Sequence, residues 1–468
     1  MTSLSSRHPR VLLSLVISTL ALSPTAFAQI LDGAEAAFLA DQARRIVDAA
    51  RLPAGGSSGK WRNETPYDLR VPGGNMGYPA FWVRDAVMML GGDLIPAAEI
   101  EGWIRLLAGA MNGPADRVPR PGVVIPAFAV PDHINFNGRP TFYPGNYETG
   151  DKQGGPPWGK YPPLDDHFYF IGAVYEHWRL TGSTVLFKSK LKTSWGKARL
   201  ADLCREAYRV APVDPATGLV KAGDIETENA KDWGFCDAES KSGELLFPSL
   251  LKYEAGLRLA ALFKAAGEPG RAATYKKEAA RIRRALPGTF LRTKEDGKEG
   301  WLHSATGVGN QPDVWGSAFA VAIGAVDGDT ADRISRALAR GYREGTTVRQ
   351  GWVRHLPANN AANGGAWQVS VSKPGDYQNG GYWGTPAGWV IAAIHRTDPQ
   401  AAADMAREFV ATLRKSLRPD GTAEAWEWFN PDTGKSSNPL YAATVALPYL
   451  SLQAAGLVRF PSEPRRRS

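Results

Sequence analysis

Glu427-Trp428-Phe429-Asn430-Pro431-Asp432-Thr433-Gly434, continued by Lys435-Ser436-Ser437-Asn438-Pro439-Leu440-Tyr441, sets one carboxylate beside two aromatic rings and a Pro/Gly turn. An apolar run from Tyr441 to Leu452 follows, so the loop leads into a helix. Rings beside an acid suit a pocket in which a sugar stacks while the carboxylate addresses a water or a C–O bond. The run Asn-Pro-Asp-Thr-Gly is also good turn chemistry by itself, which would leave Glu427 a solvated loop acid. On this loop alone both readings stand.

Outward from it, apolar residues recur every three or four positions, with Gly and Pro between the runs. The spacing predicts helices over Glu35–Arg51, Phe81–Gly91, Ala97–Met111, Asp166–Thr181, Ser194–Val210 and Glu244–Ala266. Six more are predicted over Arg271–Leu286, Val314–Val326, Thr330–Tyr342, Trp383–His395, Pro399–Ser416 and Tyr441–Ala455. Some connections are tight, such as Ala266-Gly-Glu-Pro-Gly270, Asp327-Gly-Asp329 and Arg396-Thr-Asp-Pro399, and tight turns make helix hairpins. Others, Asn112 to Pro163 and Gly345 to Gly381, are long and rich in Gly, Pro and rings, as functional loops are. Gly122–Pro126 and Thr347–Val353 look like strands of loop hairpins. The pattern predicts one all-α domain, a toroid of six helical hairpins whose loops form a cleft.

The ends read differently. Arg7 and Arg10 precede an apolar run from Val11 to Leu22, and Ala26-Phe27-Ala28 offers a small-x-small cleavage site before Gln29, so residues 1–28 read as a secretory signal. Residues 29–460 are then the folded domain and 461–468, with Arg465, Arg466 and Arg467, a basic tail. A periplasmic or secreted protein is expected, with no membrane association after cleavage. The net charge of +8 is dispersed, without the clustered Lys/Arg face that nucleic acid requires. A hydrophobic content of 43% with 15 Trp predicts a large core with rings left over for binding. Cys204 and Cys236, the only cysteines, could pair or remain buried thiols.

Three further strings combine acids with rings at helix starts, and a fourth combines glycines with rings. In Tyr78-Pro-Ala-Phe-Trp-Val-Arg-Asp-Ala86, Arg84 and Asp85 can bind vicinal hydroxyls and Trp82 adds a flat face; a local ion pair is the alternative. In Asp232-Trp-Gly-Phe-Cys-Asp237, rings such as Trp233 would raise the pKa of a neighbouring acid, as a general acid needs, unless Asp237 or Ser242 merely caps the next helix. Tyr161-Pro-Pro-Leu-Asp-Asp-His-Phe-Tyr169 offers Asp166 or His167 to substrate hydroxyls, with Asp165 as an N-cap. Tyr377-Gln-Asn-Gly-Gly-Tyr-Trp-Gly-Thr-Pro-Ala-Gly-Trp389 lets the backbone approach a ligand and presents Tyr382 and Trp383 for stacking, or packs those rings into the core. Gln311-Pro-Asp-Val-Trp315 is a further cleft element in which Gln311 binds substrate or caps its helix, and Trp428 adds a face beside Glu427.

The Arg84-Asp85, Asp232–Asp237, Tyr382-Trp383 and Glu427 loops resemble, in chain order, elements of the six-hairpin glycosidases, of the trehalase, glucoamylase and processing α-glucosidase kinds. The likeness runs from Tyr78 to Tyr441. It departs where Thr385 replaces a Gly before Pro386 and where Gly384 stands in place of an Arg found in some relatives. The resemblance implies an (α/α)6 barrel and an inverting hydrolase with two carboxyls ~6.5–9.5 Å apart. Glu427 is then the general base, and Asp232, ahead of Asp237, the general acid. The implied substrate is an oligosaccharide or polysaccharide, taken exo from an α-glucoside-like end.

Two other activities fit such a toroid: a polysaccharide lyase or unsaturated-uronide hydrolase, and a glycan-binding protein without catalysis. Gly55-Gly-Ser-Ser-Gly59 lacks the strand–turn–helix setting of a serine nucleophile. No dinucleotide, phosphate-loop or His-Glu-x-x-His string occurs, so no cofactor and no catalytic metal is expected. Carboxylates and loop carbonyls are plentiful enough for a structural Ca²⁺.

Overall fold

A computed structural model describes residues 29–74, 77–120, 123–142, 164–222, 236–360 and 363–460. Twelve helices longer than one turn run through them: α1 (Gly33–Ala49), α2 (Val83–Met88), α3 (Ala97–Ala110), α4 (Asp166–Thr181), α5 (Leu200–Val210) and α6 (Leu246–Ala265). The rest are α7 (Pro269–Phe290), α8 (Val314–Ala322), α9 (Gly328–Arg343), α10 (Ala387–His395), α11 (Pro399–Lys415) and α12 (Ala443–Ala454). Each stands where the apolar spacing predicts a helix. The start that shifts most is that of α5: Ser194–Arg199 belongs to a hairpin in which Lys190–Thr193 pairs with Gly196–Arg199, so α5 begins at Leu200. Gly196 at φ +134° makes that turn, which the periodicity alone hides.

The helices fall into two kinds by composition. In α10 the residues Ala387–Ile391, Ala393 and Ile394 are buried on every side, and in α8 all of Val314–Ala320 are. Such helices need neighbours all round. In α9, by contrast, Ala331, Ile334, Leu338 and their neighbours form one buried stripe, with Asp329, Arg333 and Arg340 on the other face. The packing follows. α2 lies on α4, α4 on α6, α6 on α8, α8 on α10, α10 on α12, and α12 again on α2. The one-striped helices cover this series: α3 and α5 on α4, α7 on α6, α9 on α8 and α10, α11 on α10, and α1 on α12.

Local signals make the turns. Gly267 at φ +82° ends α6, and Pro269 opens α7 at a position whose N–H would be unsatisfied anyway. Asp398 accepts from the Ala401 amide at 3.1 Å and Pro399 starts α11. Where α10 meets α12 a side chain does not fit: a Cβ on Gly388 would lie 2.7 Å from Ser451 Cβ.

The long loops carry short strands. Val348–Arg349, Trp352–Arg354, Tyr382–Trp383, Trp428–Asn430 and Lys435–Ser437 form a five-stranded antiparallel sheet in that order, at the end of the molecule where α10 and α12 begin. Gly55–Gly59 also lies in a hairpin, Ser57–Ser58 on Trp61–Arg62, with no helix after it. No helix among the described residues is long and apolar enough to cross a membrane. Cys204 and Cys236 are both buried thiols, not a disulfide.

Candidate active site

The loops before α2, α6, α10 and α12 converge on one cavity of about 210 Å³. Tyr78, Trp82, Arg84 and Asp85 come from the α2 entry, Asp237 and Ala238 from the segment before α6, Tyr377, Gln378 and Trp383 from the α10 entry, and Glu427 and Tyr441 from the α12 entry. Arg84, Asp85, Asp237 and Glu427 thus share one space although they span 343 positions of sequence.

Glu427 sits at the foot of the Trp428–Asn430/Lys435–Ser437 hairpin and is 3% exposed, so it is no solvated turn acid. The turn chemistry is nevertheless real: Gly434, at φ +71°, donates to the Asn430 carbonyl at 2.9 Å. Tyr78 Oη lies 3.0 Å from both carboxyl oxygens of Glu427, and Asn438 Nδ2 donates to Oε2 at 2.6 Å. Burial pushes the Glu427 pKa up to about 8, and the Asn438 and Tyr78 donors pull against it. Tyr377, Ala425, Asn438 and Leu440 all adopt positive φ, between +41° and +60°. Only Asn takes that region readily, so the backbone around Glu427 holds strain that the packing must overcome, as functional sites do.

Asp237 accepts from Tyr377 Oη at 3.1 Å and lies 3.9 Å from Arg84 Nη1. Burial raises its pKa, with Arg84 opposing and Asp132 adding to the rise. Asp85 is pushed up to about 6, chiefly by burial, while Tyr441 Oη donates to its carboxylate. Three carboxyls that hold protons above the usual range therefore surround the cavity, with Tyr78, Tyr377 and Tyr441 as their hydroxyl partners. Trp82 stacks on His133 with centroids 4.1 Å apart, and its indole Nε1 finds no acceptor among the described residues.

Arg84 reaches the cavity, yet most of its guanidinium faces the other way. Nη2 donates to Asp132 at 2.9 Å, Nε lies 3.2 Å from Asp165, and Asp166 is 3.5 Å away. Asp165 occupies the N-cap position of α4 but makes no capping bond; its carboxylate is turned to Arg84. Burial drives the Asp166 carboxyl well above the ordinary range despite Arg84. This arginine is a structural counter-ion before it is a sugar ligand. Arg84→Ala is therefore expected to cost about 3–5 kcal/mol of stability at neutral pH, since it leaves buried carboxylates unpaired. Thermal unfolding checks it; an unchanged Tm contradicts it.

The other residues singled out in the sequence lie apart from the cavity wall. His167 Nδ1 accepts the Val130 amide at 3.2 Å, which ties down the loop after α3. Gln311 does not cap α8, a task that Asp313 performs; it clamps Ala366 and Gln368 by bonds of 3.0 and 2.7 Å. Tyr382 packs on Arg354, and Trp428 backs Gly381. Neither Asp237 nor Ser242 caps α6 by a side-chain bond. Asp232 and Trp233 lie outside the described residues, as does Tyr161-Pro-Pro163. Tyr78, Tyr377 and Asn438 stood inside the strings that sequence reading selected, without signals of their own; Asp132 and Tyr441 as a partner of Asp85 carried none. Among the described residues no cluster of three or more His, Cys, Asp or Glu is arranged to hold a metal.

No family model matches the chain, and no curated protein does. Solved structures do. A glycosidase variant in complex with glucose aligns over 92% of this chain and 100% of its own, at 14% identity and a TM-score of 0.54. A rhamnosidase from Klebsiella oxytoca with rhamnose bound aligns over 91% of this chain and 64% of its own, at 13% identity and a TM-score of 0.52. A GH63 mannosylglycerate hydrolase from Thermus thermophilus, in complex with glucose, aligns over 88% and 99%, at 14% identity and a TM-score of 0.50. At these identities the likeness establishes the fold. It is the fold of the six-hairpin glycosidases, the group that the sequence motifs resemble.

Proposed function

We propose that the chain is an inverting glycoside hydrolase whose helix series closes as an (α/α)6 barrel around the site. The observation that carries this reading is the meeting of two carboxyls, the buried Glu427 and the half-buried Asp237, on one small cavity walled by Trp82 and Trp383. Asp237 gives its proton to the leaving oxygen as the C–O bond breaks. Glu427 takes a proton from the water that attacks the anomeric carbon from the opposite face. Tyr78 and Asn438, both bonded to Glu427, orient it toward that water. A cavity of about 210 Å³ is on the scale of one sugar ring, which supports exo action on the end of an α-glucoside-like oligosaccharide.

The protein is also proposed to be exported, with its leader removed before Gln29; N-terminal sequencing of protein from the periplasm or medium should start there, and an intact Met1 would refute it. The functional reading is tested with a panel of neutral α-linked di- and oligosaccharides, scored for release of a free terminal sugar. Wild type should release it and Glu427→Gln should not. Retention on a glycan column with no release by wild type would mark a binding protein instead, and an unsaturated product would mark a lyase.

A further inference from the structure

Cys236 immediately precedes Asp237 and is tied to a distant loop. Its Sγ lies 3.3 Å from His355 Nδ1, and His355 Nε2 lies 3.1 Å from Asp313 Oδ1. All three side chains are buried. Asp313 caps α8, its Oδ1 also accepting the Gly316 amide at 2.7 Å. Burial works to raise the Asp313 pKa, but His355, Lys241 and the Gly316 amide hold it below the ordinary range. An ionised Asp313 fixes the His355 proton on Nε2, which leaves Nδ1 for the thiol. The imidazole cannot swing: it is stacked on Trp315 at 4.0 Å and 5°, with Trp367 edge-on at 5.0 Å.

The contacts close on themselves. Asp237 bonds to Tyr377, Tyr377 meets Trp383 at 5.1 Å, and Trp383 meets Trp315 at 5.5 Å, the ring on which His355 lies. The backbone just after Asp237 is held as well, since the Val371 amide donates to the Ala238 carbonyl at 3.0 Å. Asp237 is thus gripped through its main chain on one side and its carboxyl on the other.

We propose that the Asp313–His355–Cys236 chain is a positioning device that sets the Asp237 carboxyl in the cavity, with Cys236 as its last link. The inference rests on the reading of Asp237 as the general acid. Cys236 is not itself a nucleophile, because its thiol is 1% exposed and the cavity wall is made by its neighbours Asp237 and Ala238. Without the anchor, Asp237 would relax toward solvent, while Arg84, Asp132 and Tyr377 still face it.

The test follows the Asp237 carboxyl by ¹³C NMR titration, assigned with Asp237→Asn, alongside kcat and KM on whichever panel glycoside wild type cleaves. Cys236→Ala should lower the Asp237 pKa by about one unit and kcat by roughly 10-fold, with little change in KM. Cys236→Ser, which keeps a donor for His355, should restore most of both. Cys204→Ala, which removes the other buried thiol in α5, should leave both at their wild-type values. An unmoved Asp237 titration in Cys236→Ala, or an equal shift in Cys204→Ala, overturns the proposal. If Cys236→Ala does not fold, Asp313→Asn is compared with Cys236→Ser under the same criterion: Asp313→Asn must shift Asp237 and Cys236→Ser must not. The titration decides even if no glycoside is cleaved, so failure of the positioning and failure of the hydrolase reading are told apart.

Discussion

Glu427→Gln is expected to lower kcat by ~10²–10⁴-fold, the contribution of a positioned proton acceptor, on every substrate that wild type cleaves. The amide fits the site: its oxygen can accept from Asn438 and its nitrogen can donate to Tyr78 Oη, so the fold stays intact. Glu424 is the control, since it is partly exposed and lies 3.8 Å from Arg418, outside the cavity wall. Glu424→Gln should leave turnover near wild type; the reverse pattern would move the base to Glu424.

The same substitution has a stability effect whose sign follows from burial. Glu427 keeps its proton in the folded protein up to about pH 8 but loses it in the unfolded chain near the ordinary value of 4.5. The unfolded state therefore binds fewer protons between those limits, and stability falls as pH rises through that window. Gln carries no such penalty. Glu427→Gln should thus gain on wild type as pH goes from 5 to 8, by on the order of 1–3 kcal/mol at the upper end. Tm profiles that run parallel from pH 5 to 8 would contradict the buried, proton-holding Glu427. In catalysis the acid limb of kcat/KM should lie well above the ordinary carboxylate range, toward pH 8, since a base with a raised pKa ionises late and the profile reports the coupled pair.

Asp237→Asn is the second large effect, again ~10²–10⁴-fold in kcat on natural glycosides, whose leaving oxygen must be protonated. Its signature is dependence on the leaving group. A glycosyl fluoride or nitrophenyl glycoside leaves without a proton, so Asp237→Asn should retain most activity on these while Glu427→Gln does not. Equal losses on both substrate types would take the acid role away from Asp237.

How far the sequence carried this picture depends on the range of the interaction. The helices were readable because burial leaves a local period: α4 matches its predicted limits, and α10 differs only at its start, where Tyr382–Trp383 pairs into a sheet instead. Pro269, Pro399 and Gly267 marked turns through their own backbone limits. The motifs also found Trp82, Asp85, Asp237 and Glu427, residues that do meet in one cavity. Partnerships were not readable. Tyr78 and Glu427 are 349 residues apart, Arg84 and Asp132 48, and Cys236 and His355 119, and nothing in one chain's pattern links such positions. For that reason Arg84 read as a sugar ligand or as half of a local ion pair, whereas three buried carboxyl groups from other segments hold most of it. Asp165 likewise read as a cap, the default for an acid at a helix start, because its true partner lies in another loop.

The most direct measurement of the central claim is the anomeric configuration of the first sugar released, followed by ¹H NMR in the opening minutes before mutarotation. An α-linked substrate should yield the β-anomer, because water attacks opposite the leaving group while Glu427 takes its proton and Asp237 supplies another. An initial α-anomer would show retention through a covalent intermediate and would contradict the assignment of these two carboxyls as base and acid.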